Sequence, residues 1–305
     1  MKIAIIGSNG MLSMALTKYY MSKDDVYVEV YGLDEPRNYS CDKFYKINLL
    51  EEKLDYVSLC AADVIIYAAG AGVQAALQTV ASNMYNLNVF VPIEMTQQLR
   101  KSNFSGIYVS FGSYMEIGLN EEVGKAFTED EVICSVLPVS NDYALSKRLY
   151  GRYMKDLNVD YTYYHFILPN MFSEDDLKPG TRLVPYTLQY LQEYAQGKHP
   201  SPPSYSAGLQ TRQFITLEEM IVTVDKAISC NIRPGVYNVG GGEFLSIRNL
   251  IERLFAIYNT PCPDDYFGSE VRRDGDIKSL LLDGTKLLNE LGELPSSRIE
   301  EIFKR

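Results

Sequence analysis

The chain has 305 residues, 46% of them hydrophobic, which suffices for a large core and two lobes. Its formal charge of −10 excludes a nucleic-acid-binding surface, which needs a basic face, so an anionic ligand must meet a local cluster of positive groups. Five scattered cysteines without Cys-x-x-Cys and two histidines, His165 and His199, indicate neither a disulfide framework nor a zinc site.

The first apolar run, residues 2–6, reads as a short buried strand; Gly7-Ser8-Asn9-Gly10 follows, then a helical pattern over residues 11–21. A second strand over residues 26–33 ends at Asp34. The same rhythm returns in the strand pattern of residues 63–70, in a helical segment over residues 84–99, and in a strand over residues 106–110. Buried strands alternating with helices predict a parallel sheet covered on both faces. The expected fold is α/β: a Rossmann-type doubly wound parallel sheet over residues 1–167, with returning segments near 212–240, and a smaller mixed α/β C-terminal substrate lobe over 168–305. The stretch at residues 199–204, rich in proline and serine, reads as an exposed loop. No apolar run approaches the ~18 to 20 residues of a membrane span, and the first strand is too short for a signal peptide, so a cytoplasmic protein is expected.

In such sheets ligands sit beyond the carboxyl ends of the strands, where Gly7, Asp34, Ala69 and Ser113 fall. Gly7 permits a tight turn, Gly10 lets the backbone approach a pyrophosphate, and the next helix aims unpaired N–H groups at that anion. The pattern is Gly-x-x-Gly-x-x-Ser, with Ser13 at a position usually held by a third glycine. Asp34, 24 residues after Gly10, suits the acid that binds adenosine ribose hydroxyls and favours NAD over NADP. Arg37, close by, is the feature that would admit NADP.

Ser140 or Asn141 caps a helical pattern through Leu145, Leu149, Tyr153 and Leu157, with Tyr143 and Lys147 one turn apart on one face. That spacing lets the ammonium favour the phenolate and draw its pKa from about 10 toward neutrality, roughly three units or about 4 kcal/mol. Such a tyrosine can act as general base on a sugar or alcohol hydroxyl, with Ser113 as a second hydrogen-bonding group. The spacing also occurs at Tyr19 and Lys23, Tyr39 and Lys43, and Tyr194 and Lys198, which lack this context and read as accidental or surface pairs.

Nearly end to end, the chain resembles the extended short-chain dehydrogenase/reductase family, in its sugar-nucleotide epimerase/dehydratase branch. The motifs that carry the likeness are Gly7-Ser8-Asn9-Gly10, Asp34, Ile47-Asn48-Leu49, Ala68-Ala69-Gly70, Asn88-Val89, the segment from Val109 through Ser113 to Gly118, and Tyr143 with Lys147. The resemblance implies cofactor contacts at Gly7, Asn9, Gly10, Met11, Asp34, Asn48, Leu49, Ala68, Ala69, Gly70 and Asn88, together with Tyr143 and Lys147. Asn48 stands where the family usually has aspartate. The catalytic residues would be Ser113, Tyr143 and Lys147.

For the substrate, Pro169-Asn170-Met171-Phe172, Thr211-Arg212-Gln213-Phe214 and Arg272-Arg273-Asp274-Gly275-Asp276 resemble the family's sugar-nucleotide segments, although Ile167 replaces a common arginine. By that likeness Asn170 meets the sugar nucleotide beside Ser113, Arg212 and Arg273 grip its diphosphate, and Asp276 holds the nucleoside ribose. Guanidinium forks match a diphosphate well.

The 4,6-dehydratases of the family carry an Asp-Glu pair directly after the catalytic serine or threonine. Tyr114 and Met115 stand there instead, and Glu116, one place further on an extended segment, is expected to point elsewhere. The remaining reading is hydride transfer at C4 of a nucleoside-diphosphate sugar by a 4-epimerase. The alternatives are an NDP-4-keto-6-deoxysugar reductase and, from another class, a non-catalytic dinucleotide-binding regulatory protein. Apolar Leu149, Tyr150 and Tyr153 on the Tyr143 helix fit the homodimer common in the family. No nucleic-acid or membrane partner and no metal is expected.

Overall fold

In the computed structural model, which describes residues 1–72, 79–180, 182–272 and 277–303, alternating strands and helices lead from the amino terminus. They run β1 (Lys2–Ile6), α1 (Met11–Met21), β2 (Tyr27–Gly32), β3 (Lys43–Lys46), α2 (Tyr56–Leu59) and β4 (Val64–Tyr67). Next come α3 (Ala81–Tyr85) and α4 (Val91–Lys101), joined by a π-helical turn (Asn86–Phe90), then β5 (Ile107–Ser113), which passes directly into a 3-10 turn (Tyr114–Ile117). The chain continues through α5 (Glu129–Ile133), α6 (Asp142–Lys155), β6 (Thr162–Leu168), β7 (Asn170–Phe172), α7 (Leu183–Ala195), β8 (Thr211–Thr216), α8 (Leu217–Ser229) and β9 (Gly235–Asn238). It ends with β10 (Glu243–Ser246), α9 (Ile247–Ile257), β11 (Ser279–Leu280), α10 (Thr285–Leu291) and α11 (Ile299–Phe303).

Among the described residues, seven strands form one parallel sheet in the order β3-β2-β1-β4-β5-β6-β9. The order reverses beside β1, which pairs with β2 on one edge and β4 on the other; the crevice at such a switch point is where a nucleotide fits. Successive residues of β1 alternate between two cores. Ala4 and Ile6 pack with Met95 and Leu99 of α4 and Tyr150 and Met154 of α6, whereas Ile3 and Ile5 pack with Leu16 and Tyr20 of α1 and Met220 and Val224 of α8. This double burial is why β1 reads as a continuous apolar run, each fully buried aliphatic side chain contributing about 1.5–3 kcal/mol.

A smaller sheet is mixed. β8 pairs antiparallel with β10 and parallel with β11 and β7. Its core joins Phe172, Leu188, Leu191, Phe214, Leu250, Leu254, Phe255 and Phe303 from β7, α7, β8, α9 and α11. The α/β class with a smaller mixed lobe is therefore as the sequence predicts. β3 is an addition: four residues, Lys43-Phe44-Tyr45-Lys46, on the sheet edge with exposed lysines at both ends, too short and too polar to stand out as a strand. Among the described residues, no helix is long and apolar enough to cross a membrane.

Candidate active site

The turn after β1 is shaped by close approach. Gly7 has φ +115°, and a Cβ there would lie 2.9 Å from the Ala69 nitrogen, so the turn leans on the end of β4 as only glycine allows. Gly10 caps α1 without a side-chain hydrogen bond, leaving the first N–H groups of an 11-residue helix open, with no acidic residue in its first turn. Ser13, buried, donates to the Gly10 carbonyl at 2.9 Å, which accommodates it in place of a glycine.

Asn9 ties this turn to the loop beyond β2. Its Nδ2 donates to the carbonyls of Asp34 and Glu35 at 3.3 and 3.0 Å, and its Oδ1 accepts from Arg37 N–H at 3.0 Å. Asp34 and Arg37 face each other at 3.2 Å, both largely exposed. The Tyr39 hydroxyl donates to the Ser8 carbonyl. Asn48 folds on itself, its Oδ1 accepting from Leu50 N–H at 3.1 Å, while Leu49 packs onto the core.

Ala68, Ala69 and Gly70 follow β4, and Asn88 sits behind them in the π-helical turn, a local geometry often found at functional sites. Asn88 is buried, and its amide is engaged with protein. Oδ1 accepts from Ala71 N–H at 3.0 Å, and Nδ2 donates to the Ala71 carbonyl and to Ser146 Oγ, both at 2.9 Å. It thus clamps the loop after β4 to α6.

The reactive side chains meet where β5 ends and α6 begins. Asn141 caps α6, its Oδ1 accepting from Ala144 N–H at 2.9 Å, and sets Tyr143 in the first turn with Lys147 one turn on. Ser113, the last residue of β5, stands beside the phenol, where its hydroxyl favours the phenolate. Lys147 Nζ donates to the Phe111 carbonyl at 2.9 Å.

The electrostatics correct the sequence expectation for Tyr143. Desolvation pushes the phenol up to about 12, against the Ser113 hydrogen bond and with help from the negative charge of Glu116. Desolvation also brings the Lys147 ammonium down to about 8, opposed by Glu116. Adjacency in sequence places phenol and ammonium on one face, yet burial disfavours both charged forms, and the ammonium is anchored on a carbonyl.

Glu116 is a second correction. The segment after Ser113 is a 3-10 turn and not extended, so Glu116 folds back three residues, and its Oε1 accepts the Ser113 backbone N–H at 2.7 Å. Ser-x-x-Glu is a capping-box signature, and it was the sequence signal for this turn.

Of the substrate residues, Asn170 opens β7 and is partly exposed. Arg212, expected to grip the diphosphate, is buried on β8 and donates to the carbonyls of Thr211 and Ile277 at 2.7 and 3.0 Å, tying β8 to the approach to β11. Arg273 and Asp276 lie outside the described residues. A cation that no motif signals, Arg182 at the start of α7, pairs with buried Asp176 and brings Nη1 to 3.4 Å from the Met11 sulfur, at the open end of α1. As for the other spaced pairs, Tyr19 and Lys23 share Asp225 at 2.9 and 2.6 Å, and Lys43 lies over the Tyr45 ring at 4.5 Å.

The sequence matches the model of the NAD dependent epimerase/dehydratase family over residues 3–240. No curated protein matches it. Among solved structures, UDP-glucose 4-epimerase of Thermus thermophilus in complex with NAD is similar with a TM-score of 0.78 at 15% identity, covering 100% of this chain and 97% of that one. A UDP-glucuronic acid 4-epimerase mutant of Bacillus cereus, with NAD and a fluorinated UDP sugar, gives 0.74 at 18% identity over 100% and 97% of the two chains. The dTDP-glucose 4,6-dehydratase of Bacillus anthracis str. Ames in complex with NAD gives 0.75 at 15% identity over 100% and 94%. At these identities the likeness is one of fold. With the family match spanning most of its length, the chain belongs to the NAD dependent epimerase/dehydratase family and is an NAD-dependent enzyme.

Proposed function

We propose that this enzyme is a 4-epimerase of a nucleoside-diphosphate sugar, working by hydride transfer at C4. The observation that carries the reading is the meeting of Ser113, Tyr143 and Lys147 at the ends of β5 and α6, beside a crevice shaped for a dinucleotide. Tyr114 and Met115, which follow Ser113, offer no acid–base pair for the loss of water. The dinucleotide would lie with its pyrophosphate at Gly7–Gly10 and the open N–H groups of α1, its adenosine ribose at Asp34, and its remainder along Ala68–Gly70. These residues fit it: the Gly7 cradle has no room for a Cβ, and the helix end has no side chain of its own to cap it. NAD supplies the hydride acceptor and donor at C4 and, when oxidised, a positive ring.

The side chains of this protein do the rest. Tyr143 takes the proton of the C4 hydroxyl and returns it, and Ser113 holds the same oxygen through its hydroxyl. Because the phenol stands at about 12 with Lys147 on the Phe111 carbonyl, positive charge must reach it before it can serve as base. Lys147, one turn away, is the residue that brings it. The seven-stranded sheet carries the dinucleotide, and the second lobe, entered at Asn170, carries the sugar nucleotide. Arg273 would grip the diphosphate and Asp276 hold the nucleoside ribose, while Arg182 at the mouth of α1 adds a cation beside the dinucleotide pyrophosphate.

A second reading, a 4-keto-6-deoxysugar reductase, is favoured by Arg37, whose guanidinium beside Asp34 suits a 2′-phosphate. The two differ in cofactor traffic. NAD or NADH released in stoichiometric amount from heat-denatured protein supports the epimerase, and an empty site that takes NADPH or NADH from solution supports the reductase.

A further inference from the structure

Directly behind Ser113 lies a carboxyl with no part in the chemistry above. Glu116 is fully buried in a chamber made by two glycines. A Cβ on Gly112 of β5 would lie 2.5 Å from its Oε1, and one on Gly151 of α6 would lie 2.7 Å from its Oε2. Oε1 accepts the Ser113 N–H at 2.7 Å, but Oε2 has no partner among the described residues. Nε2 of His165 on β6 is likewise buried and without a partner among them, and it too borders the missing Gly112 side chain, at 2.8 Å. The other face of that ring is fixed, with Nδ1 2.9 Å from Ser110 Oγ and Tyr150 edge-on at 5.3 Å. A buried carboxyl with an unmade bond is costly, and such groups cluster at functional sites.

We propose that Glu116 is a positioning residue of this site: from the chamber between Gly112 and Gly151 its carboxyl fixes Ser113 against Tyr143 and presents a negative charge to Lys147 from behind. The role presupposes Ser113, Tyr143 and Lys147 as the reacting trio. The titratable and charged groups facing Glu116 are Tyr143, Lys147 and Arg148 on α6 and His165 on β6. Arg148 is engaged with the carbonyls of Glu116, Leu137 and Ile117 at 2.6, 2.7 and 3.1 Å. α5 packs on the same turn but sends its acids elsewhere: Glu129 to Asn238 N–H, Asp130 to Lys155 and Glu131 to Thr128 N–H. β11 brings only Ser279 and Leu280. Burial pushes Glu116 up to about 7, against the Ser113 N–H and the charges of Lys147 and Arg148, while His165 is held neutral with its pKa down at about 3. The carboxyl therefore changes charge near neutral pH, and with it the field on the phenol and the ammonium.

The test uses the full chain with 13C-labelled lysine, the Lys147 resonance being assigned with Lys147→Met. Glu116→Gln keeps the shape, and Glu116→Met removes the charge without burying an amide. Both should lower the Lys147 midpoint by about one pH unit, a tenfold loss of proton affinity. They should also move the acid limb of kcat/KM to lower pH, because the phenol loses a negative neighbour. A side chain that only fills space would move neither, and an unmoved Lys147 midpoint in the folded variants overturns the role. Should neither variant fold, the Glu116 carboxyl resonance of the wild-type chain is compared with that of Lys147→Met: a rise in its midpoint supports the pairing, and no change overturns it. Absence of sugar-nucleotide turnover by the wild-type protein would count against the 4-epimerase reading, while the lysine titration still decides the role of Glu116.

Discussion

Replacing Glu116 with methionine should change the way the protein's stability depends on pH, and the direction follows from two buried groups. Glu116 is raised from 4.5 to about 7 in the fold, so between these values the folded chain keeps a proton that the unfolded chain has released. Stability therefore falls as pH rises through that window, by about 3 kcal/mol for some 2.5 units at about 1.4 each. His165 is lowered from 6.5 to about 3, so below 6.5 the unfolded chain takes a proton that the fold refuses, and stability falls as pH falls. Between pH 4.5 and 6.5 the two slopes oppose and nearly cancel in the wild-type chain. In Glu116→Met the histidine slope stands alone. Lys147, about 8 in the wild-type chain, stays largely protonated in both proteins below pH 7, so the stability of wild type minus variant should drop by about 3 kcal/mol from pH 4.5 to 7. That drop rides on a constant offset of about 1–3 kcal/mol for the Ser113 N–H left without its acceptor. Urea unfolding at half-unit steps of pH reads both quantities. Parallel stability curves for the two proteins would refute a carboxyl that titrates in this chamber.

Further expectations concern the rest of the site. Tyr143→Phe should lower kcat by about 10²-fold or more, and retention of more than about a tenth of the rate would remove Tyr143 as the base. Gly7→Ala places a Cβ 2.9 Å from the Ala69 nitrogen at φ +115°. It should cost about 1–3 kcal/mol in urea unfolding and weaken NAD binding, and a neutral substitution would contradict the close approach of the turn to β4. Light scattering at micromolar concentration should give the mass of a homodimer built on α6, where Leu149 is exposed, and a monomeric mass would exclude it.

What could be read from the sequence divides along physical lines. β1 and β4 were legible because strands buried on both faces must be continuously apolar, and Gly7 because one backbone geometry admits one residue. β3 was not, since an edge strand with one half-solvated face needs no such run. Ser113, Tyr143 and Lys147 were legible as a spacing, but their ionisation was not, because desolvation and the Phe111 carbonyl under Lys147 are properties of the packed molecule. Glu116 was misplaced by assuming an extended segment, although Ser-x-x-Glu carried the sign of a turn. Resemblance named Arg212 for its charge, and only the tertiary structure shows its guanidinium tied to the Thr211 and Ile277 carbonyls. Arg182 reaches α1 from the other lobe, across a sequence distance that no motif spans.

The central claim is C4 epimerisation of a sugar nucleotide with the cofactor kept in place. Its most direct test is proton NMR of UDP- and dTDP-hexoses incubated with the protein and no added nucleotide. We expect one of them to pass to its C4 epimer until a fixed ratio is reached from either side. Failure of every hexose to interconvert, together with NADH- or NADPH-dependent reduction of a 4-keto sugar by the same protein, would contradict it.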